Sequence, residues 1–282
     1  MNNFKVGILL AAITALFLTI GHLLGGQAGM VIALVLAVVM NMGTFWFSDK
    51  LVIKMTGAQP LTRDQIPELF DMTERLARRA EIPMPKLYLV PDPSPNAFAT
   101  GRNPQNGVVA VNQGLLNLLD VREVEGVVAH ELAHIKHRDT LTSAIVATLA
   151  GAISSIANIA MFASLFGGGS DEDRPNPLVQ LLLIFVAPMA AMMIQFAVSR
   201  AREYEADRTA AELVGDSRGL ASALARLQSG AQQVPGHMPP SAAHMCIVNP
   251  LAGVGGLANL FSTHPPMDER IRRLNEWRPT QN

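Results

Sequence analysis

Cysteine is nearly absent from this 282-residue chain: Cys246 stands alone. One thiol rules out an intramolecular disulfide framework and any cysteine-based zinc ribbon. Charge is also scarce, at 16% of residues, against about 25% in ordinary soluble domains. Disordered chains are polar and charged, so that class is excluded. With 22 Lys+Arg against 23 Asp+Glu, the formal net charge is -1. No basic excess is present to neutralise phosphates, which argues against nucleic acid as a partner.

The missing charge is concentrated in three places. No Asp, Glu, Lys or Arg occurs between Val6 and Ser48, between Thr140 and Ser170, or between Pro175 and Ser199. A helix crosses a bilayer in about 20 apolar residues. The first stretch holds two such spans, with a break at Gly21-His22-Leu23-Leu24-Gly25-Gly26, and each of the others holds one. The spacing predicts four transmembrane helices, roughly 5–24, 29–48, 142–166 and 177–198. A cleaved signal peptide is the poorer account of the first, because its apolar run is too long and a second span follows at once. Outside the bare stretches the composition is that of a normal soluble domain.

Orientation follows from the basic residues beside the spans. Lys50 and Lys54 follow the second span, Lys136 and Arg138 precede the third, and Arg200 and Arg202 follow the fourth. The opposite side carries His22 and the loop Asp171-Glu172-Asp173-Arg174. Both termini, segment 49–139 and the tail 199–282 are therefore expected on the cytoplasmic side. The chain divides into a hairpin of spans (1–48), a first catalytic part (49–139), a second hairpin (140–198) and a second catalytic part (199–282).

The cytoplasmic segments read as helices around a small sheet. Ile66, Leu69, Phe70, Met72, Leu76 and Ala77 recur at helical spacing. Lys86–Val90, Asn96–Thr100 and Gly107–Val111 read as short strands, and Gln113–Leu119 as a short helix. Asp120 and Glu123 resemble a capping box that opens a helix running through His134. Later helices are expected over 200–214, 216–227 and 268–277.

That capped helix carries His130-Glu131-Leu132-Ala133-His134, an H-E-x-x-H pattern. Residues four apart share a helix face, so both imidazoles can reach one metal, with Glu131 beside them as general base. A catalytic zinc needs a third protein ligand. His137 fails, because seven residues put it about 10.5 Å along the axis from His130. The better candidate follows the fourth span, where Glu203 and Asp207 lie four apart. Glu203 suits the metal, and Asp207 can accept the second ring N–H of a ligating histidine. The zinc is then expected just below the cytoplasmic surface, between the inner ends of the third and fourth spans. Asn96, at the start of a strand, is a candidate for bonding substrate backbone, and the edge strand itself can receive an extended peptide.

Five motifs in order resemble the membrane-bound HtpX-type zinc metallopeptidases, relatives of the CAAX prenyl-protein endopeptidases. They are the N-terminal hairpin, Pro-Asn-Ala-Phe-Ala (95–99), His130–His134, Ser199–Asp207, and Ser262-Thr263-His264-Pro265-Pro266 followed by Glu269-Arg270. The resemblance implies a mainly α fold with a small β-sheet: four transmembrane helices plus a gluzincin-like cytoplasmic zinc peptidase domain. It implies one Zn2+ held by His130, His134 and Glu203, with Glu131 as base. It also implies His264 and Arg270 as stabilisers of the oxyanion, and proteolytic quality control of membrane proteins in a bacterial inner membrane. Polypeptides and the lipid bilayer are the partners this suggests. Two rivals share the motifs: a zinc-binding membrane scaffold without catalysis, and a CAAX-type prenyl-peptide endopeptidase.

Overall fold

The computed structural model describes residues 2–145, 200–234, 245–248 and 265–279. The spans expected at 142–166 and 177–198 lie outside them, apart from 142–145, as does His264.

The chain starts with a long helix, α1 (Asn2–Thr56), broken at Gly25 and Gly26. Gly26 has φ 55 and ψ -139, backbone that a β-carbon disfavours. The break folds the second arm back on the first. Asn41 Nδ2 in the second arm donates to Thr14 Oγ1 (2.9 Å) and to the Leu10 carbonyl (3.4 Å) in the first. The arms meet at glycine: a Cβ on Gly21 would sit 2.5 Å from that of Ala33 and from the Gly29 carbonyl. Small residues at such a crossing let two apolar helices pack by van der Waals contact alone. The outer face of the second arm stays apolar and exposed, at Val31, Ile32, Val35 and Val39 among others. Among the described residues one stretch, Gly25–Gly43, is long and apolar enough to cross a membrane. The helix does not stop at residue 48, where the apolar run ends, but continues through Asp49, Lys50 and Lys54 to Thr56.

The C-terminal end of α1 is seated on a four-stranded sheet. The strands are β1 (Gln59–Pro60), β2 (Lys86–Val90), β3 (Ala97–Thr100) and β4 (Val108–Asn112), in the order β1-β2-β4-β3. β2 and β4 are parallel, while β1 and β3 pair antiparallel with their neighbours. Val52 of α1 packs with Val90, Phe98, Ala110 and Ala144. The Arg102 guanidinium lies 4.7 Å from the Trp46 ring centroid, a cation–π contact. β3 is the edge strand on the side of the H-E-x-x-H helix, opposite the β1 edge.

The other face is covered by helices. α2 (Pro67–Arg79) buries Leu69, Met72 and Leu76; α3 (Gln113–Leu118) is short. α4 (Val121–Lys136) carries the motif, and its capping box is formed in full: Asp120 Oδ1 accepts from the Arg122 and Glu123 amides while Glu123 Oε2 accepts from that of Asp120. Its apolar side, including Val127, Val128 and Leu132, is fully buried. α5 (Arg200–Val214) and α6 (Arg218–Gln233) pack against it, and α7 (Met267–Glu276) packs on those two. Two glycines make the α4–α6 crossing close. A Cβ on Gly126 would lie 2.6 Å from the Leu220 nitrogen, and one on Gly219 2.6 Å from the Arg122 carbonyl.

Candidate active site

α4 and α5 pack side by side, and the facing residues are the chemically active ones. Ala206 and Ala210 on α5 are small and fully buried, which brings its backbone close to α4. Glu203 and Asp207, one turn apart, share that face. His130 Nε2 and His134 Nε2 lie 3.2 Å apart, their rings nearly perpendicular. Glu203 Oε2 is 3.6 Å from His130 Nε2, and Oε1 is 3.6 Å from His134 Nε2. The three residues form one metal-capable group. Two ligands on tetrahedral zinc with bonds of about 2.05 Å stand about 3.3 Å apart. The observed separations, 3.2 Å between the imidazole nitrogens and 3.6 Å from each to one Glu203 oxygen, are close to that spacing.

The electrostatics fit as well. Glu131, Glu203, Asp207 and Asp139 face the site with Arg270 and Arg202. Carboxylates outnumber guanidinium groups around the site, which favours a cation between them. Burial holds His130 below the usual imidazole range, favouring the neutral form that binds metal. Burial alone would lower His134 too, but Glu203, Asp139 and Glu131 outweigh it and push it up to about 9 without metal. Glu131 is 2% exposed. Burial first, then the Glu203 charge, pushes its carboxyl up to about 7, against the opposing pull of His134, Arg270 and the Ala99 amide. A base poised near neutrality suits proton transfer.

Beside the two candidate ligand histidines lie two carboxylates, each gripped by an arginine. Asp207 Oδ1 is 3.0 Å from His130 Nδ1. Arg270, on α7, holds Asp207 through Nε at 2.8 Å and Nη2 at 2.7 Å. Burial would raise Asp207, yet Arg270 dominates and lowers it to about 2. On the other side Asp139 Oδ2 lies 3.3 Å from His134 Nδ1, and Arg202 Nη1 lies 3.3 Å from Asp139 Oδ1.

The sequence candidates fall in different places. His130, Glu131, His134, Glu203 and Asp207 converge. Arg270 is there too, but fully buried: beyond Asp207, its Nη1 donates to the Ile247 carbonyl (3.2 Å). Its Nη2 also lies 3.4 Å from His130 Nε2 and its Nη1 3.5 Å from Glu203 Oε2, so the buried guanidinium sits against the inward-facing atoms of both residues. Asn96 is 3% exposed and turned onto Val248, with Nδ2 donating to its carbonyl (2.9 Å) and Oδ1 accepting from its amide (3.4 Å). The Ile247 amide donates to the Ala97 carbonyl (3.1 Å), so residues 245–248 line the first rung of the β3 edge. His137 points elsewhere, with Nε2 3.4 Å from Thr209 Oγ1. Asp139 and Arg202 were missed by sequence reasoning. The signal was an acid just past the end of the motif helix and a base one residue before the third ligand.

Two histidines and a glutamate at zinc spacing, with a buried glutamate beside them and an edge strand alongside, define a zinc metallopeptidase of the H-E-x-x-H plus Glu type. The comparisons agree. Residues 64–278 match the model of peptidase family M48, to which the chain belongs. It is 54% identical over 277 residues to the protease HtpX homolog of Methylibium petroleiphilum, covering 97% of this chain and 96% of the relative. It is 49% identical over 278 residues to that of Pelotomaculum thermopropionicum, covering 98% and 99%. The crystal structure of S. mikatae Ste24p shares the fold at a TM-score of 0.52 and 20% identity, over 97% of this chain and 66% of that one. The chain is a membrane zinc metalloprotease.

Proposed function

We propose that this protease binds one zinc through His130, His134 and Glu203, and cuts misfolded or damaged membrane proteins from the cytoplasmic face of a bacterial inner membrane. The observation that carries the reading is the donor triangle, with Glu131 buried against it and the β3 edge beside it. When bound, zinc supplies a Lewis acid that acidifies water and polarises the scissile carbonyl. Glu131 takes a proton from the attacking water and returns it to the departing amine. Asp207 orients His130, and Arg270 acts through Asp207 as a positioning residue. On the β3 edge the Ala97 carbonyl accepts from the Ile247 amide and the Ala99 amide donates to Glu131, so an extended substrate adds to this edge only by displacing those contacts.

Four spans, with both termini and the site on the cytoplasmic side, place the zinc where a chain drawn from the bilayer emerges. The continuous helix from the apolar second arm to Thr56, seated on the sheet through Val52, supports this placement. The test is proteolysis of an unfolded membrane protein and of casein by protein purified in detergent, stripped with chelator and reloaded with zinc. Glu131→Gln is expected to bind zinc normally and to lose about 10²–10⁴-fold in rate. Full activity in that variant ends the proposal.

A further inference from the structure

α4 ends one turn after His134, and the way it ends is unusual. The His137 amide closes the last turn on the Ala133 carbonyl. Arg138 then adopts φ 60, the left-handed region that glycine favours and β-carbon-bearing residues resist. The Asp139 amide turns back to the His134 carbonyl at 3.0 Å. The reversal brings the Asp139 side chain beneath the helix it has just left. Oδ2 comes to 3.3 Å from His134 Nδ1, the ring nitrogen opposite the one that faces His130 and Glu203. Asp139 is 5% exposed. Its other oxygen receives Arg202, which precedes the ligand Glu203 by one residue.

We propose that Asp139 is the positioning residue for His134, and that Arg202 holds Asp139 in place, so that this pair orients the second histidine as Asp207 and Arg270 orient the first. Three independent features converge on it: an unfavourable backbone conformation at Arg138, a buried carboxylate on the free ring nitrogen, and an arginine from the facing helix on that carboxylate. A carboxylate on Nδ1 fixes the tautomer that leaves Nε2 unprotonated, and it fixes the ring plane. The position in the chain adds a consequence. Asp139 precedes and Arg202 follows segment 146–199, so the pair ties a zinc ligand to the two points where the chain leaves and re-enters the catalytic part. The inference rests on reading His134 as a ligand.

The experiment measures zinc affinity of the full-length protein in detergent, by competition with a chromophoric chelator, alongside the melting temperature of the metal-free protein. Asp139→Ala is expected to weaken zinc binding about 10–100-fold, and to shift the visible bands of the cobalt-substituted protein. Asp139→Asn keeps an oxygen that can accept from Nδ1, so it recovers most of the affinity while losing the ion pair. Arg202→Gln gives a smaller loss in the wild-type background and none on top of Asp139→Ala. Wild-type affinity in Asp139→Ala overturns the proposal. So does an Asp139→Asn variant as weak as Asp139→Ala, which a purely ionic tie between helices would produce. Arg202→Gln carries the test if Asp139→Ala does not fold, and wild-type affinity there overturns the role of the pair. His134→Ala separates the two levels. If it retains wild-type affinity, the ligand assignment falls; if it loses zinc while Asp139→Ala does not, only the positioning role falls.

Discussion

Arg270 is the largest side chain buried completely among the described residues. A lone guanidinium there would be prohibitive. It is tolerated because Asp207 takes two of its N–H groups and Glu203 lies 3.5 Å away. Breaking such a pair from one side strands the other charge. Arg270→Met is therefore expected to destabilise the metal-free protein by about 3–5 kcal/mol, read as a lowered melting temperature. Adding Asp207→Leu to it should restore much of that stability, and zinc affinity should stay low because His130 has lost its orienting carboxylate. The pair also sets an acid limit. Asp207 is lowered to about 2 when folded, against about 3.9 unfolded. Its contribution is thus fully present above pH 4 and is lost as pH falls toward 2. In melting curves of chelated protein, Asp207→Asn should flatten that part of the stability profile. An unchanged slope would show that Asp207 does not carry it.

At the scale of elements, packing and propensity can be set against each other at Gly126. Alanine is favoured over glycine in a helix interior by about 1 kcal/mol. Here a β-carbon would come within 2.6 Å of the Leu220 backbone, and overpacking costs about 1–3 kcal/mol. Packing should win: Gly126→Ala is expected to lower the melting temperature, and a rise would mean that α6 can move away freely. The same contest explains which elements were legible beforehand. α4 was readable because its box residues, apolar side and motif agree. β1 was not, since two residues carry no period; its pairing with β2 is set by tertiary contact. α6 runs six residues past the expected 227, through Gln228-Ser229-Gly230-Ala231-Gln232-Gln233, whose polarity hides the helix. That His130, His134 and Glu203 come together was legible from their spacing and from the resemblance. Asp139 was not, because its approach to His134 depends on a left-handed Arg138, which residue type does not announce.

At the scale of the whole molecule, the hairpin decides which side each part faces. A break at Gly25-Gly26 and the bonds from Asn41 to Thr14 and Leu10 bring the two arms of α1 together antiparallel. The tip at Gln27 then lies a full span away from Thr56, whose end is seated on the catalytic sheet. The bases that follow the second arm, Lys50 and Lys54, are the reason for proposing that this end is cytoplasmic. A labelling experiment reads this directly. Cys246 is buried, and burial together with Glu131 and Asp92 raises its thiol further from ionisation, so Cys246→Ser removes a background already low. In that background Gln27→Cys should react with a membrane-impermeant maleimide on intact spheroplasts. Asn275→Cys, exposed on α7, should react only after the membrane is opened. The converse pattern would place the zinc on the outer side and remove the basis for a cytoplasmic substrate. Labelling of both sites from one side would mean that α1 lies along the surface. Its bare apolar outer face would then be covered by something other than lipid tails.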